Sequence, residues 1–439
     1  MFRRPGILTY VVSQPQDLDV IYIKRHCQER LKCIVHSKES NEVVIMAGLA
    51  EASVKASCSS KQCKFHGGGI ESEHDRVEVK TYVPDKKSCE TTDFQIRWSP
   101  TGEGMFHLEC WNALFDPKRG LSNLERNMVK EASKTAEFHN SVSSMKNEAK
   151  RIADIIKKSS FAIAFTGAGI STSAGIGDFR GKSGKWTEQD RSKTYGPDAK
   201  PDKKKHFSYA DLRPTYTHEA LAKLVELGYI KHVISQNCDG LHSLSGIPID
   251  KLWELHGNVF HERCDKCGTR QEWPHAVQPS RVGWAATQRC PNCRCYHYTG
   301  RKCPKPKCDG NMMKTVINFG DPLEDHVIDS AYANAKRNDF VLCLGTTLRV
   351  SPANALVEAG QEPIKLAICN RQPTPYDEMC WKKNADCQQY GSRVWGDCDP
   401  LMREIMMNIL GQEHLEAWEK GRQDRLHHYD SKRVTTQQS

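Results

Sequence analysis

The sequence predicts an α/β protein: a doubly wound, parallel, Rossmann-like sheet with a small cysteine-rich module inserted into it, plus a separate N-terminal α+β domain. Residues 161–165 form an unbroken apolar run, as expected of a strand buried on both faces of a parallel sheet, and a glycine-rich turn follows at once. Further apolar runs then alternate with helical stretches, which is the order of a doubly wound fold. A cysteine-rich block at 264–308 interrupts this order.

The composition restricts the class of protein. The chain has 439 residues, of which 27% are charged and 38% hydrophobic, and its formal net charge is +9. These are ordinary values for globular domains, and the length predicts two or three of them. No run approaches the roughly 18 apolar residues of a membrane helix, and the start lacks the pattern of a secretory signal. We therefore expect no membrane partner, and we expect the 19 cysteines to be metal ligands or core thiols rather than disulfides.

The chain divides into three predicted parts, residues 1–135, 140–411 and 412–439. The first mixes β-type runs, such as 42–46 and 77–80, with scattered cysteines. The last is expected to be a polar tail in which a frayed helix precedes disorder. The middle part opens with an amphipathic helix at 142–159. Its strands are predicted at 161–165, 230–234, 316–317, 340–344 and 364–369, its further helices at 217–227, 328–336, 352–359 and 400–411, and its inserted module at about 260–315.

The glycine-rich turn is the first functional signal. Residues 166–171 follow a predicted buried strand and open a predicted helix. Glycines at this place let the backbone approach a pyrophosphate, although a tight βα turn alone produces the same pattern about as often. Residues 175–181 then place an acid, an aromatic ring and a base among further glycines, which is unusual for a structural loop. The two segments together favour a nucleotide site.

Polar residues follow the next predicted strand. Gln236, Asn237 and Asp239 stand at a predicted carboxyl edge, where doubly wound sheets bind ligands. His256 lies further along, before the first cysteine pair. A lone histidine is more often structural than catalytic, but a polar strand end nearby favours a role as a base.

At these residues the sequence resembles the sirtuin family. The matching segments run in family order from about residue 150 to 411 and are 167–171, 175–180, 236–242, 255–257, 319–321, 344–348 and 396–398. Segments 171–172, 184–187, 214–218, 236–239 and 299–303 are most similar to the nuclear class IV branch of that family. The resemblance implies NAD-dependent removal of acyl groups from protein lysines, with release of nicotinamide and O-acyl-ADP-ribose.

The family also implies a role for each matching residue. His256 would accept a proton through the ribose hydroxyls of NAD, and Asn237 and Asp239 would hold the ribose and the nicotinamide. The full set of implied NAD contacts is Gly167, Ala168, Gly169, Ser171, Asp178, Phe179, Arg180, Trp186, Gln236, Asn237, Asp239, Gly345, Thr346, Thr347, Asn370 and Cys398.

The acylated lysine would arrive on an extended peptide that pairs with the backbone at Phe319, Gly320 and Asp321. Two positions depart from the family pattern, since Gly177 stands where proline is usual and Asp321 where glutamate is commoner. Neither departure removes a catalytic group. The lysine-rich stretch 182–205 has two interpretations, a substrate-responsive loop and a solvated insertion.

The cysteine-rich block predicts a structural zinc site. Cys264 and Cys267 have the spacing of zinc ligands, and a second close pair would complete a tetrahedral set of four thiolates. Cys290 and Cys293 have the better spacing in isolation. The family pattern instead selects Cys303 and Cys308, which we favour, with the other pair left as spare thiols or part of another site.

A second metal site is a hypothesis for the N-terminal part. Cys58, Cys63, His107 and Cys110 loosely resemble the Cys-Cys-His-Cys ligand set of a PARP-type zinc finger. The first pair has four intervening residues rather than two, so buried thiols and a core histidine are the competing interpretation.

The positive charge is concentrated in the cysteine-rich module. Residues 264–314 contain 10 Lys or Arg against 3 Asp or Glu, whereas residues 1–135 contain 20 against 18. We therefore predict that this module contacts nucleosomal DNA or an acidic protein surface, with strong salt dependence. The resemblance to the nuclear class IV branch implies histones as substrates and the nucleus as the location, with the cytoplasm as the alternative. Two other functions stay open: a mono-ADP-ribosyltransferase using the same pocket, and a non-catalytic NAD-sensing chromatin module.

Overall fold

The computed structural model describes most of the chain, with gaps. Described are the backbones of four strands within residues 7–46, and residues 56–65, 69–83, 94–99, 101–182, 184–195, 208–291, 294–318, 320–385 and 387–433. The chain forms two compact units, one of residues 1–56 and 69–72, the other of residues 57–68 and 73–439.

The first unit contains an antiparallel sheet in which neighbours in sequence pair in order, β1 to β4. Its strands are β1 (Ile7–Ser13), β2 (Leu18–Arg25), β3 (Lys32–Ser37) and β4 (Val43–Met46). Two very short strands follow in the chain, β5 (Ala56–Ser57) and β6 (Gly69–Ile70).

The second unit begins with a small three-stranded antiparallel sheet in the order β8-β7-β9. Its elements are β7 (Arg76–Lys80), β8 (Glu103–His107), α1 (Leu108–Asn112), α2 (Asn123–Ser133) and β9 (Glu137–His139). The side chains of β7 alternate between buried and half-buried, as expected of a strand covered on one face. Just beyond β9, the Asn140 N–H donates to the Trp395 carbonyl over 2.8 Å. The segment at the predicted domain boundary is thus hydrogen-bonded to the main sheet region, and the compact units divide the chain elsewhere.

A six-stranded parallel sheet forms the centre of the second unit. Its strands are β10 (Ala162–Thr166), β11 (Ile230–Ser235), β12 (Leu252–Glu254), β17 (Phe340–Leu344), β18 (Leu366–Cys369) and β19 (Ser392–Val394). The spatial order is β12-β11-β10-β17-β18-β19, so the chain builds outward in both directions from the central pair β10 and β17. This is the strand order of a Rossmann fold, and it confirms the predicted class.

Helices cover both faces of this sheet. The helices packed on the sheet are α3 (Val142–Lys158), α5 (Tyr216–Glu226), α8 (Asp325–Arg337), α9 (Asp377–Cys380), α10 (Cys398–Leu410) and α11 (Gln412–Lys420). The same unit also contains α4 (Lys185–Tyr195), α6 (Leu241–Leu244) and α12 (Arg422–Ser431). Alternate residues of β10 pack to opposite sides: Ala162 and Ala164 lie with α3, α5 and α10, whereas Ile163 and Phe165 lie with α8. Burial on both faces explains why the strand is an unbroken apolar run.

The inserted module lies between β12 and β17 in the chain, as predicted, and contains strands that the sequence pattern did not reveal. It contains β13 (His261–Cys264), β14 (Arg270–Glu272), α7 (Gly283–Thr287), β15 (Tyr298–Lys302) and β16 (Asn311–Lys314), with the strands antiparallel in the order β14-β13-β16-β15. The sequence shows no strand period here because these strands have no regular alternation of buried and exposed residues.

Two further predictions are corrected. Residues 316–317 are not a strand, because the Ile317 N–H donates to the His256 carbonyl (3.0 Å) rather than into a sheet. Residues 412–431 form α11 and α12 instead of a frayed tail, and Leu415 and Tyr429 are buried there. Within the described residues, no helix is both long and apolar enough to cross a bilayer.

Candidate active site

Two glycine turns meet where the sheet order reverses. The turn after β10 and the turn after β17 are held together by the Gly167 N–H, which donates to the Leu344 carbonyl (3.0 Å), and by the Gly169 N–H, which donates to the Gly345 carbonyl (2.8 Å). A Cβ added at Gly169 would lie 2.6 Å from the Gly345 Cα. The glycines are therefore required by the contact between the two turns, a reason that the sequence alone does not reveal.

A buried polar cluster lies directly beside the first turn. The Ser171 hydroxyl donates to Asp239 Oδ2 over 2.7 Å, and Asn237 Nδ2 donates to the Gly167 carbonyl (3.0 Å) and to Ser171 Oγ (3.3 Å). The Leu241 N–H donates to the other carboxylate oxygen of Asp239 (3.0 Å). Burial raises the pKa of Asp239, and these hydrogen bonds oppose the rise. The three predicted side chains are thus fixed in one network.

Gln236 connects this cluster to the second turn. Its Nε2 donates to Thr346 Oγ1 over 2.9 Å, and its N–H donates to the Thr166 carbonyl over 3.0 Å. Thr346 is itself buried, and its hydroxyl accepts from the Leu348 N–H (3.1 Å). The carboxyl ends of β11, β10 and β17 therefore supply one continuous polar edge.

His256 is oriented by a single hydrogen bond. Its Nδ1 lies 2.7 Å from the Gln236 carbonyl, which can only accept, so Nδ1 carries the proton and Nε2 is left with a free lone pair. Burial lowers the pKa of His256, partly offset by this hydrogen bond. The ring is consequently neutral near pH 7 and can accept a proton at Nε2.

The loop after the first turn is folded back on itself. The Gly181 N–H donates to Asp178 Oδ1 (3.0 Å), and the Trp186 N–H donates to the Phe179 carbonyl (2.9 Å). The rings of Phe179 and Trp186 are stacked with centroids 6.4 Å apart, and Phe179 and Arg180 are exposed. Burial raises the pKa of Asp178. The carboxylate of Asp178 is therefore hydrogen-bonded within the loop, whereas the side chains of Phe179 and Arg180 are exposed.

Two of the implied NAD contacts, Asn370 and Cys398, lie at the far carboxyl edge of the sheet. Asn370 follows β18, is 6% exposed, and donates from Nδ2 to the Gln372 carbonyl over 2.9 Å. Cys398 begins α10, is buried, and its thiol contacts the Cys369 carbonyl at 3.8 Å. Cys369 ends β18, the neighbour of β17, so both residues lie on the same side of the sheet centre as the second glycine turn.

The predicted peptide-binding segment is only partly described. Phe319 lies outside the described residues. Asp321 accepts from the Asn318 N–H (3.0 Å), and the Cys295 thiol donates to it over 2.8 Å. Gly320 has φ +92°. The segment follows Ile317, whose N–H is bonded to the His256 carbonyl, so it starts close to the histidine.

Four thiols of the inserted module converge. The ligand atoms of Cys264, Cys267, Cys303 and Cys308 all lie within 4.8 Å of one another, with Sγ–Sγ distances of 3.7 Å for Cys264–Cys308 and 3.5 Å for Cys267–Cys303. Tetrahedral zinc with bonds of ~2.3 Å requires Sγ–Sγ distances of ~3.8 Å, so the set fits the metal. Cys290 instead packs with Ala285, Tyr298 and Met313, and Cys293 lies outside the described residues. The second hypothetical set, Cys58, Cys63, His107 and Cys110, also comes together.

Sequence reasoning missed two residues beside the site. Glu254 ends β12, and its carboxylate accepts from Asn258 Nδ2 over 2.8 Å; burial raises the pKa of Glu254 to about 7. In the sequence, Lys182 is the first residue of a lysine-rich stretch and has no evident partner. In the structure, its ammonium lies 2.5 Å from the Glu78 carboxylate. No local pattern could have found that contact, because the two residues are far apart in the chain.

Comparison with known proteins agrees with this site. The sequence profile of the Sir2 family matches residues 167–352. The chain is 38% identical over 244 residues to the NAD-dependent protein deacetylase SRT1 of Arabidopsis thaliana, 55% of this chain and 47% of that protein. It is 38% identical to the deacetylase Sirt6 of Drosophila melanogaster, over 52% of this chain and 67% of that protein. An NAD-dependent protein deacylase of Aeropyrum pernix is 35% identical, over 51% of this chain and 86% of that protein.

The matches cover part of the molecules. The chain spans about half the length of the Arabidopsis relative (47%). Among solved structures, one described as Sir2 with a p53 peptide and NAD+ is 28% identical over 58% of this chain and 96% of that one, with a TM-score of 0.39. A second, Sir2Tm bound to a propionylated peptide, is 27% identical over 60% of this chain and 99% of that one, with a TM-score of 0.40.

Proposed function

Because the chain belongs to the Sir2 family, we propose that it is an NAD-dependent protein lysine deacylase. The observation that carries the proposal is the meeting of Ser171, Asn237, Asp239 and His256 at the carboxyl edge of the sheet. This set of polar groups fits a dinucleotide. Hydroxyl, amide and carboxylate groups surround the place where the strand order reverses, and doubly wound sheets bind dinucleotides there.

The reaction needs NAD and an acylated lysine. When bound, NAD supplies an ADP-ribosyl group that receives the acyl group of the lysine, and nicotinamide leaves. In the proposal, Gly167, Ala168, Gly169 and Ser171 hold the phosphates, and Gly345, Thr346 and Thr347 extend the same contact from the facing turn. Hydrogen bonds between the turns keep this surface rigid before the ligand arrives.

His256 is the proposed general base. Its Nε2 is free because Nδ1 is used by the Gln236 carbonyl, and its lowered pKa keeps the ring neutral. Asn237 and Asp239 are the proposed contacts of the ribose and nicotinamide, and their mutual network with Ser171 fixes both side chains. A base held in one orientation loses little entropy when the proton moves.

The remaining contacts stay at the level of proposals. Those on the nicotinamide side are Asp178, Phe179 and Arg180, and those on the adenosine side are Asn370 and Cys398. Trp186 and Gln236 are further proposed NAD contacts. The acyl-lysine peptide would pair with the backbone of Phe319, Gly320 and Asp321. The residues proposed to hold a structural zinc are Cys264, Cys267, Cys303 and Cys308, whose thiols have the spacing of a closed tetrahedral site.

The decisive experiment uses acetyl- and long-chain-acyl-histone peptides with NAD, read by mass spectrometry. We expect loss of the acyl mass that depends on NAD, and a loss of activity of at least about 100-fold in His256→Ala. Protein-bound ADP-ribose without acyl loss would establish the transferase alternative instead. NAD binding with neither product would establish a non-catalytic module. An undiminished His256→Ala enzyme contradicts the role of the histidine.

Finer statements are also proposals. Similarity to a Drosophila Sirt6 supports the class IV branch. A nuclear location and histone substrates are proposed on the resemblance to that branch. Among the described basic residues of the inserted module, Arg281, Arg294, Lys305 and Lys307 are exposed, in keeping with a contact to nucleosomal DNA. Such a contact would weaken steeply with salt. The resemblance of the region around Cys58 and Cys110 to a PARP-type finger remains a prediction, since the matching profile starts at residue 167.

A further inference from the structure

Four metal-binding side chains meet in the N-terminal part of the second unit. Cys58 and Cys63 come from one short segment, His107 ends β8, and Cys110 lies in α1. Their ligand atoms all lie within 4.8 Å of one another. Cys63 Sγ lies 3.4 Å from His107 Nδ1 and 3.7 Å from Cys110 Sγ.

These distances are those of a tetrahedral site. Zinc bonds of ~2.3 Å to sulfur and ~2.0 Å to nitrogen place two sulfurs ~3.8 Å apart and a sulfur and a nitrogen ~3.5 Å apart. A disulfide, by comparison, brings two sulfurs to ~2.05 Å and would leave the other thiol and the imidazole without a role. Three thiolates and one imidazole are a donor set that selects Zn²⁺ over Mg²⁺ or Ca²⁺.

The surroundings are built around this set. Cys58, His107 and Cys110 are 4%, 1% and 5% exposed, so three of the four ligands are enclosed, and Cys63 is half-buried. The His107 ring stacks on Phe65 with centroids 3.9 Å apart, which fixes the direction of Nδ1. The Ser59 N–H donates to the Met105 carbonyl (2.7 Å), which ties the cysteine segment to β8. All four positions are therefore set by the local fold rather than by flexible side chains.

We propose that Cys58, Cys63, His107 and Cys110 bind a second structural Zn²⁺, separate from that of the inserted module. The site has four protein ligands and no open position, so it stabilises the small sheet β8-β7-β9 and does no chemistry. It is independent of the deacylase proposal.

The metal content of the 439-residue chain tests the site. Purified under reducing conditions, the wild type should contain two zinc ions per chain, and Cys63→Ser/Cys110→Ser should contain one. Cys387→Ser, an exposed thiol outside both sets, is the matched control and should keep two. Cys264→Ser/Cys267→Ser should lose the other ion only. One zinc in the wild type, unchanged in the Cys63/Cys110 variant, overturns the proposal.

A second measurement needs no variant and so does not depend on folding of the mutants. ¹¹³Cd NMR of the cadmium-substituted wild type should give two resonances, one from a four-sulfur site and one from a site with three sulfurs and one nitrogen. A single resonance, or one equivalent of cadmium, overturns the proposal.

A different observation concerns Lys182, which follows the glycine loop 175–181. Glu78 of β7 and Glu137 of β9 are paired across the two strands, an arrangement of like charges that is unfavourable without a cation. The Lys182 ammonium lies 2.5 Å from Glu78, and the Lys182 N–H donates to Glu137 Oε1 over 2.9 Å. Arg371 pairs with the other oxygen of Glu137 at 3.3 Å.

The loop approaches this pair so closely that it needs glycine. A Cβ at Gly181 would lie 2.6 Å from Glu137 Oε1 and 2.3 Å from Asp178 Oδ2. The Asp178 carbonyl also accepts from the Lys185 N–H (3.1 Å). Lys182 thus attaches the loop that begins at Asp178 to the small sheet.

Resting on the proposed function, we infer that Lys182 is a positioning residue for NAD, through which the sheet β8-β7-β9 holds the loop of Asp178, Phe179 and Arg180. Lys182→Met should weaken NAD binding about tenfold, the loss of one partly buried charged hydrogen bond. Lys182→Arg should recover most of it. The control is Lys193→Met, because Lys193 is exposed and its ammonium pairs with the exposed Asp190.

Calorimetric titration with NAD separates the outcomes. Absence of NAD binding by the wild type would refute the proposed function. Binding by the wild type and equal binding by Lys182→Met would refute the positioning role alone. In turnover assays, KM for NAD should rise while KM for the peptide stays near the control, and a fall in stability with unchanged NAD affinity also counts against the inference.

Discussion

At the scale of single residues, the sequence predicted those site residues whose chemistry restricts the choice of side chain. It did not predict residues whose role depends on a partner that is distant in the chain. Asn237 and Asp239 could be found because polar groups directly after an apolar strand stand out, whereas the role of His256 was implied by the family resemblance. The structure brings all three to one edge. Glu254 and Lys182 could not be found, since each acquires its role from a partner or a burial that only the fold creates.

The pH dependence of activity follows from His256. Burial lowers its pKa below the ordinary value of 6.5, so the neutral form that accepts a proton persists to lower pH than in a free histidine. As pH falls through the lowered pKa, the ring charges and kcat/KM should drop. We expect the acidic limb of the kcat/KM profile to have its midpoint below 6.5, and NMR titration of the ¹⁵N-labelled ring to give the same value. A midpoint above the ordinary histidine value in both measurements contradicts the burial of the base.

At the scale of elements, periodicity predicted the buried strands and the long helices, and it missed elements that neighbours stabilise. β10 and β17 are fully buried and were found as apolar runs. The strands of the inserted module were missed because they are short and irregular in burial. The contact between the two glycine turns belongs to this scale, since neither turn requires it alone.

Gly345 tests that contact. It has φ +62°, and an added Cβ would lie 2.4 Å from the Ile170 nitrogen. Gly228 is a matched control, since it has φ +76° with nothing within 4 Å of an added Cβ. Gly228→Ala should cost about 1 kcal/mol of unfolding free energy from backbone strain alone. Gly345→Ala should cost about 3 kcal/mol, because overpacking adds to the strain. Equal costs in urea unfolding would show that the turns are not in tight contact.

At the scale of the whole molecule, the C-terminal helices are part of the fold. α12 lies over α5 through Arg422 and Arg425, which pair with the Glu219 carboxylate at 3.6 and 3.0 Å, and the Glu219 side chain is 1% exposed. The sequence predicted a tail here because polar residues dominate the segment. The buried partner of its arginines, Glu219, lies about 200 residues earlier in the chain and could not be recognised from the sequence.

Removing these cations should unfold the protein more easily. Arg422→Met/Arg425→Met leaves the buried Glu219 carboxylate without either arginine, with an expected loss of about 3 kcal/mol of unfolding free energy. Adding Glu219→Gln should restore part of it, because the uncompensated charge is then gone. The control is Lys223→Met, whose exposed partner Glu226 predicts a cost below about 1 kcal/mol. A double variant no less stable than the control would mean that α12 is not anchored by this pair.

The position of the inserted module within the chain has an entropic consequence. The central strands pair Ala162 with Phe340, so their association closes a very long loop that contains the whole module. The closure entropy of a chain grows only logarithmically: lengthening a loop from about 130 to about 180 residues costs about 0.3 kcal/mol. The sheet can therefore carry a metal-binding insertion at this crossover almost without loss of stability, and the same crossover could accept further sequence at similarly small cost.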